Sequence, residues 1–267
     1  ALSAAVAVGA DTALLDEAWY APGVVTPVGG PVFYTMVWGG VWVNSAGERF
    51  MNERLPYDRA GHELMRLHGV DGNDTIPGHW VFDQRQVDAK AFTFLPVDPQ
   101  VPDWFDVDRW VEAGALVKAD TLEDLADRIG VPAENLAATV DRYNGFALAG
   151  VDEDFHRGES PWDRVIAGVV KPHTDGPNKC LGVLDQAPFY AVKVVVTDLG
   201  TKGGVRTDAN GRVLRSDDSV IEGLYASGNT MAPALGRIYP GAGGPIGSAM
   251  VFSWLAALDM AGETFQA

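Results

Sequence analysis

The chain has 267 residues, of which 47% are hydrophobic and 21% charged, a composition typical of a soluble globular protein. Asp and Glu number 36 against 20 Lys and Arg, so the net charge is -16, which argues against nucleic acid and anionic membrane surfaces as partners. No apolar run is long enough to span a bilayer. The single cysteine, Cys180, excludes an internal disulfide framework and favours a reducing, cytoplasmic compartment.

The first residues predict a buried helix over 1–8 that ends at Gly9, because small apolar residues precede a glycine. The next segment, 10–20, carries a second short helical pattern. The chain does not begin with Met, so we expect it to start partway through a longer protein. Its five histidines are scattered without the spacing of a metal site, so no metal is predicted.

A β-hairpin is predicted where apolar residues up to Val43 are followed by a polar turn and then by Arg49. Two carboxylates, Glu48 and Glu53, resemble an acid/base pair. We interpret Glu48 as a solvated hairpin residue and Glu53 as a residue that fixes the loop. An amphipathic helix over 58–67 follows.

The elements in the middle of the chain are predicted to have a structural role. A short strand is predicted at 80–83 and a helix from Thr121, the first residue of a capping box, to Ile129. Pro132 then begins a second helix over 133–143. A strand from about 188 to 196 leads to the last part of the chain.

The stretch 223–257 organises the candidate site. A short strand, 224–226, is followed by a glycine-rich loop around Tyr239 and by an apolar helix from about Ser248, with Pro245 in its first turn. Such a strand, turn and helix start allow backbone N–H groups to point at an electron-rich ligand. A buried tyrosine in this loop requires a hydrogen-bond partner for its hydroxyl.

These motifs resemble the FAD-dependent fumarate reductase and 3-ketosteroid dehydrogenase superfamily. The pair Gly228-Asn229, the sequence YPGAGG from Tyr239, the preceding DLGTKGG and the earlier pattern GxxVNxxGxRFxNE carry the resemblance, which covers nearly the whole chain. The motifs are most similar to those of the 3-ketosteroid Δ1-dehydrogenases.

The resemblance implies a fold with both α/β and α+β parts. Residues 1–26 and 188–267 would form the C-terminal part of a flavin-binding, Rossmann-like domain. Residues 27–187 would form an inserted α+β substrate domain that caps it. The family's N-terminal dinucleotide-binding unit, with its GxGxxG motif, is missing from this sequence.

The resemblance also implies residue roles in forming a C=C bond beside a ketone of a small ketosteroid. The phenol of Tyr239 and the N–H of Gly243 would polarise the ketone, Tyr57 would take a proton, and FAD would take the hydride; Tyr34 is the rival to Tyr57. The residues expected to line the flavin are Gly228, Asn229, Gly244, Pro245, Ile246 and Gly247.

Three alternatives stay open, and the electron acceptor is unspecified. A 3-ketosteroid 4-dehydrogenase is not separated by these residues. A fumarate reductase is disfavoured, because a dicarboxylate needs cationic ligands, the loop 238–247 contains none, and Asn229 replaces the usual glutamate. The third is an inactive or structural fragment that needs a separate nucleotide-binding chain; flavin absorbance of the purified protein would distinguish it.

Overall fold

The computed structural model describes residues 1–34, 39–89, 106–169, 174 and 176–263. Its α-helices are α1 (Leu2–Ala7), α2 (Tyr57–Leu67), α3 (Gln84–Asp88), α4 (Val107–Glu112), α5 (Leu122–Ile129), α6 (Ala133–Ala149), α7 (Pro161–Val169) and α8 (Gly244–Met260). The strands are β1 (Thr12–Ala13), β2 (Ala18–Val25), β3 (Pro31–Phe33), β4 (Val41–Val43), β5 (Gly78–Asp83), β6 (Leu116–Ala119), β7 (Phe189–Thr201), β8 (Gly204–Val205), β9 (Arg212–Leu214) and β10 (Val220–Tyr225).

The chain divides into two compact units. Residues 1–20 and 198–267 form one unit, and residues 21–197 form the other. From their order in the sequence alone, they are called the outer unit and the inner unit. The predicted domain boundaries, 26/27 and 187/188, differ from this division. The assignment of flavin and substrate binding to the two parts stays a prediction.

A six-stranded sheet forms the centre of the inner unit. Its strands follow the order β3-β2-β7-β5-β4, and β6 also pairs with β7. The pairs β2/β3, β4/β5, β5/β7 and β6/β7 are antiparallel.

Side chains alternate between two cores across this sheet, as the two-residue period of a strand requires. Along β5, Trp80 and Phe82 belong to one core, whereas Val81 belongs to the other. The first core also contains Leu64 of α2. The second is filled largely by residues of α5 and α6, such as Leu136. Both faces of the sheet are therefore covered, which makes β5 completely buried.

Local sequence signals explain the helices of the inner unit. Thr121 accepts a hydrogen bond from the Asp124 N–H at 3.1 Å, and α5 ends at Gly130, which is left-handed. Helix α6 begins after Pro132 and continues to Ala149, beyond the predicted end at 143. The predicted helix after Tyr57 and the strand at 80–83 are also confirmed.

The outer unit is built from small pieces around a modest core. Strand β1 pairs antiparallel with β8, and β9 pairs with β10. Close backbone packing explains the two glycines that end DLGTKGG: a Cβ on Gly203 would lie 2.3 Å from the Leu14 carbonyl oxygen, and one on Gly204 would lie 2.3 Å from that of Thr230. No larger residue fits this contact.

Three local predictions for the outer unit need correction. The segment 10–20 is not a helix; it contains β1 and the start of β2, because strand pairing overrides its helix-forming composition. The last helix begins at Gly244 rather than Ser248, after Gly243 in the left-handed region. The predicted first helix forms, and Gly9 follows it with φ 93°. Its predicted burial is wrong, because Ala5 is the one buried residue of α1.

Candidate active site

The glycine-rich loop ends at the start of α8. Gly243 is the N-cap with φ 91°, no side chain caps the helix, and a proline occupies the first turn. The left-handed backbone at Gly243 explains its glycine, since residues with a Cβ rarely adopt it. Nothing lies within 4 Å of a Cβ built on Gly243 or Gly247. The positive end of α8 therefore adjoins open space, which favours an electron-rich ligand.

Tyr239 is held against Trp19. Their ring centroids are 5.3 Å apart, with the planes tilted by 57°. Lys202 also contacts Trp19, and its Nζ lies 4.6 Å from the Trp19 ring centroid. Trp19 and Lys202 are both buried, although the outer unit has few buried polar groups among its described residues. Sequence reasoning missed both residues; a lysine between Thr201 and two glycines was the only available signal.

A small cavity of about 20 Å³ brings three of the predicted flavin residues together. Gly228, Asn229 and Pro245 line it with Trp19 and Lys202. The indole N–H of Trp19 is buried without a hydrogen-bond acceptor among the described residues. Because a buried unpaired donor is costly, this atom fits a site whose acceptor comes from a ligand.

The cavity has room for little more than one water molecule, but the donors around it suit the polar edge of a flavin ring. An indole N–H, an asparagine amide and the uncapped helix start would meet the ring's carbonyl oxygens and nitrogens. The predicted neighbours Gly244 and Gly247 lie in the first turn of α8 together with Ile246, whose side chain is exposed. The residues present therefore fit the predicted cofactor.

The two candidate bases lie in the inner unit and differ in their surroundings. Tyr57 is the first residue of α2, partly exposed, and packs edge-on against Phe33 with centroids 5.2 Å apart. Tyr34 is a core residue stacked on Trp80. Burial raises the pKa of Tyr34 well above its ordinary value, which makes it the poorer base. The geometry thus favours Tyr57 over Tyr34.

Glu53 belongs to a buried charge network, defined here as Arg49, Glu53, Asp152 and Arg157. The closest contacts are Arg49 Nε to Glu53 Oε1 at 2.7 Å, Arg49 Nη2 to Asp152 Oδ2 at 2.7 Å and Arg157 Nη1 to Glu53 Oε2 at 3.1 Å. Glu53 also accepts the Trp42 N–H at 3.1 Å.

This network makes Glu53 a structural residue. Burial opposes its charge, but the Arg49 and Arg157 guanidinium groups outweigh burial and lower the pKa of Glu53 below its ordinary value. A carboxylate held charged by two arginines is a poor proton carrier. Glu48, in contrast, is exposed. The interpretation of Glu53 as a loop-fixing residue agrees with these contacts.

Cys180 is also structural. It is buried, and burial raises the pKa of its thiol, which suits packing rather than nucleophilic chemistry. Within the described ranges, no group of three His, Cys, Asp or Glu side chains is arranged to hold a metal ion. None of the described helices has the length and apolar character needed to cross a membrane.

Comparisons with known proteins show what the chain is similar to. The chain is 47% identical over 264 residues to the 3-oxosteroid 1-dehydrogenase of Mycolicibacterium smegmatis, covering 97% of this chain and 45% of that protein. It is 38% identical to the 4-oxocyclohexanecarboxylate 2-dehydrogenase of Sinomonas cyclohexanicum, covering 96% and 44% of the two chains. The chain thus spans about half the length of the curated relatives it matches.

A solved structure gives the same picture. The 3-ketosteroid Δ1-dehydrogenase from Sterolibacterium denitrificans, in complex with 1,4-androstadiene-3,17-dione, matches with a TM-score of 0.84 and 36% identity, over 98% of this chain and 46% of that one. The predicted mixed α/β fold is confirmed at this level. The model of the family described as FAD binding domain matches residues 1–246, which confirms the sequence-based resemblance and its cofactor, FAD. This chain belongs to the FAD binding domain family.

Proposed function

We propose that this chain contributes to an FAD-dependent 3-ketosteroid Δ1-dehydrogenase. The observation that carries the proposal is the Tyr239 loop, defined here as residues 237–243. It holds a phenol against Trp19 and ends at a helix start whose neighbouring cavity contains three predicted flavin residues. The relative at 47% identity and the steroid-complexed structure support the substrate class.

The proposed chemistry removes a hydride and a proton from adjacent carbons beside a ketone. Hydrogen bonds to the carbonyl oxygen stabilise enolate character and so acidify the neighbouring C–H. The Tyr239 O–H and the Gly243 N–H would donate these bonds, and Tyr57 would take the proton. Since a free tyrosine has a pKa near ~10, its surroundings must favour proton transfer. Bound FAD would accept the hydride.

Flavin binding is assigned to the outer unit. Gly228, Asn229 and Pro245 would contact the ring beside Trp19, while Gly244, Ile246 and Gly247 would present the start of α8. The rest of the cofactor would be held by the family's N-terminal dinucleotide-binding unit. The inner unit would act as the inserted substrate domain. A cytoplasmic location is part of this proposal, and the electron acceptor is left open.

The test is Tyr239→Phe in the full-length protein, assayed with a 3-ketosteroid and an artificial electron acceptor. Loss of one hydrogen-bond donor to the developing oxyanion should lower turnover roughly 100-fold or more, while the flavin absorbance per protein stays unchanged. Tyr225→Phe is the matched control, because it removes a phenol of the same unit that donates to Asp259 at 2.7 Å. Unaltered turnover in Tyr239→Phe would contradict the proposal.

A fumarate reductase is the less supported alternative. Arg237, the first residue of the Tyr239 loop, is engaged by the carboxylates of Asp16 and Glu17, so its charge is already paired. A 3-ketosteroid 4-dehydrogenase is distinguished in the same assay by the position of the new double bond in the product. A flavin-free structural fragment is distinguished by a purified full-length protein that stays colourless after incubation with FAD.

A further inference from the structure

Lys202 is an unusual residue of the outer unit, because its side chain is 1% exposed. Its Nζ donates to the Arg237 carbonyl at 2.9 Å and lies over the Trp19 ring at 4.6 Å. Its backbone N–H donates to the Glu17 carbonyl at 3.2 Å. Removing an ammonium from water is costly, so the buried Lys202 needs its contacts in place. These contacts hold two separate segments, one at Glu17 and Trp19 and one at Arg237.

Those two segments are the ones that determine where the Tyr239 ring lies. Arg237 is two positions before Tyr239, and Trp19 packs directly against the Tyr239 ring. Lys202 therefore contacts the backbone that leads to the phenol and also the ring that supports it. A cation over a desolvated indole face is among the stronger contacts of this type.

Arg237 also forms ion pairs with the segment that precedes Trp19. Arg237 Nη2 lies 2.9 Å from Asp16 Oδ2, and its other nitrogen pairs with Glu17. The Arg237 side chain is 58% exposed in these pairs. The Asp16 side chain is exposed as well, whereas the Glu17 side chain is only 8% exposed, so the pair with Glu17 is partly shielded from water and joins the same two segments as Lys202.

We propose that Lys202 is a positioning residue for Tyr239, acting through the Arg237 carbonyl and the Trp19 ring. The inference rests on the proposed function, in which the Tyr239 phenol polarises the substrate ketone. Lys202 does not take part in proton transfer in this scheme. It fixes the distance between the phenol and the ketone oxygen, on which the rate depends steeply.

The experiment is a double-mutant cycle in the full-length protein. Lys202→Met keeps the length of the stem but removes the ammonium, and Lys202→Arg restores a cation. We expect Lys202→Met to lower kcat roughly 10- to 100-fold, with a smaller change in KM, and Lys202→Arg to recover part of the loss. In the Tyr239→Phe background the same substitution should lower kcat less than about threefold, because residues that act as a unit are not additive.

Hydrogen exchange supplies a readout independent of turnover. Peptides covering 237–243 should exchange faster in Lys202→Met than in the parent, and near the parent rate in Lys202→Arg. Lys179→Met is the matched control, since Lys179 is an exposed lysine of the inner unit. It should change neither kcat nor exchange in this segment.

The outcomes separate the two proposals. Normal turnover in Tyr239→Phe contradicts the proposed function itself. A large loss in Tyr239→Phe combined with an equal Lys202→Met effect in both backgrounds leaves that function standing and overturns the positioning role. If purified Lys202→Met contains no flavin, the cycle is repeated with Trp19→Leu in place of Lys202→Met. Additive losses of kcat in this second cycle overturn the inference. A Trp19→Leu loss that largely disappears in the Tyr239→Phe background supports it.

Discussion

Single residues explain why part of the site was predictable and part was not. Tyr239 was recognised because it lies among glycines, outside any apolar repeat that would mark it as a core residue. Lys202 could not be recognised as buried, because lysines are normally exposed and only the tertiary fold brings Trp19 over it. Arg157 likewise lay in a segment that reads as a polar loop, and its partner Glu53 is 104 positions away.

The charge network gives a stability prediction at this scale. Glu53→Gln would leave Arg49 and Arg157 without one of their carboxylates, and the Arg157 side chain is fully buried. Breaking a buried pair from one side typically costs about 3–5 kcal/mol. Urea unfolding of the purified protein should show a loss of this order.

Glu48→Gln is the control, since Glu48 precedes Arg49 directly in the sequence but is exposed. It should alter the free energy of unfolding by less than about 0.5 kcal/mol. Equal stability of Glu53→Gln and the parent would contradict a structural role for the network.

At the scale of elements, local signals predicted helices better than strands. The helices after Tyr57, Thr121 and Pro132 carry caps, prolines and periodic apolar residues that act within one turn. Segment 10–20 has a helix-forming composition, yet its pairing partners lie near residue 200 and no local pattern announces them. The early start of α8 was missed because Gly244 and Gly247 are poor helix formers.

Helix α5 gives the prediction at this scale. Thr121→Ala removes the acceptor of the Asp124 N–H and should lower the free energy of unfolding by about 1 kcal/mol. Thr121→Ser keeps the hydroxyl and should stay close to the parent in the same urea titration. An alanine variant as stable as the serine variant would show that the cap contributes nothing.

At the scale of the whole molecule, the buried His79 makes stability depend on pH. Burial, and secondarily the Lys193 ammonium, lower the pKa of His79 to about 4 from 6.5. The unfolded chain therefore binds a proton at His79 below about pH 6.5, whereas the folded protein does so only near pH 4. Stability is lost as the pH falls through this window.

Replacing this histidine should reduce the acid sensitivity. Between pH 7 and pH 5, His79 should lower the free energy of unfolding by roughly 2 kcal/mol. In urea titrations at these two pH values, His79→Leu should remove most of this difference. His68→Gln, at an exposed histidine, should preserve the parent's difference. An unchanged difference in His79→Leu would contradict the buried, neutral state.

Domain organisation was predicted from proline-rich breaks at 26/27 and 187/188. The compact units divide instead at 20/21 and 197/198. These divisions fall within β2 and β7, whereas the predicted breaks lie just outside the two strands. Prolines within a strand, such as Pro22, do not end it when its neighbours supply the remaining bonds. The nested order of the segments was visible in the sequence only through family resemblance.

The charge network also has a consequence for the order of folding in the inner unit. Arg49 and Asp152 are 103 positions apart, so a long loop must close before they meet, and closing it costs entropy in advance. Helices α5 and α6, which are adjacent in sequence, face no such delay. We expect this helical pair to form early. The four charged side chains should stay hydrated until late in folding, when they come together.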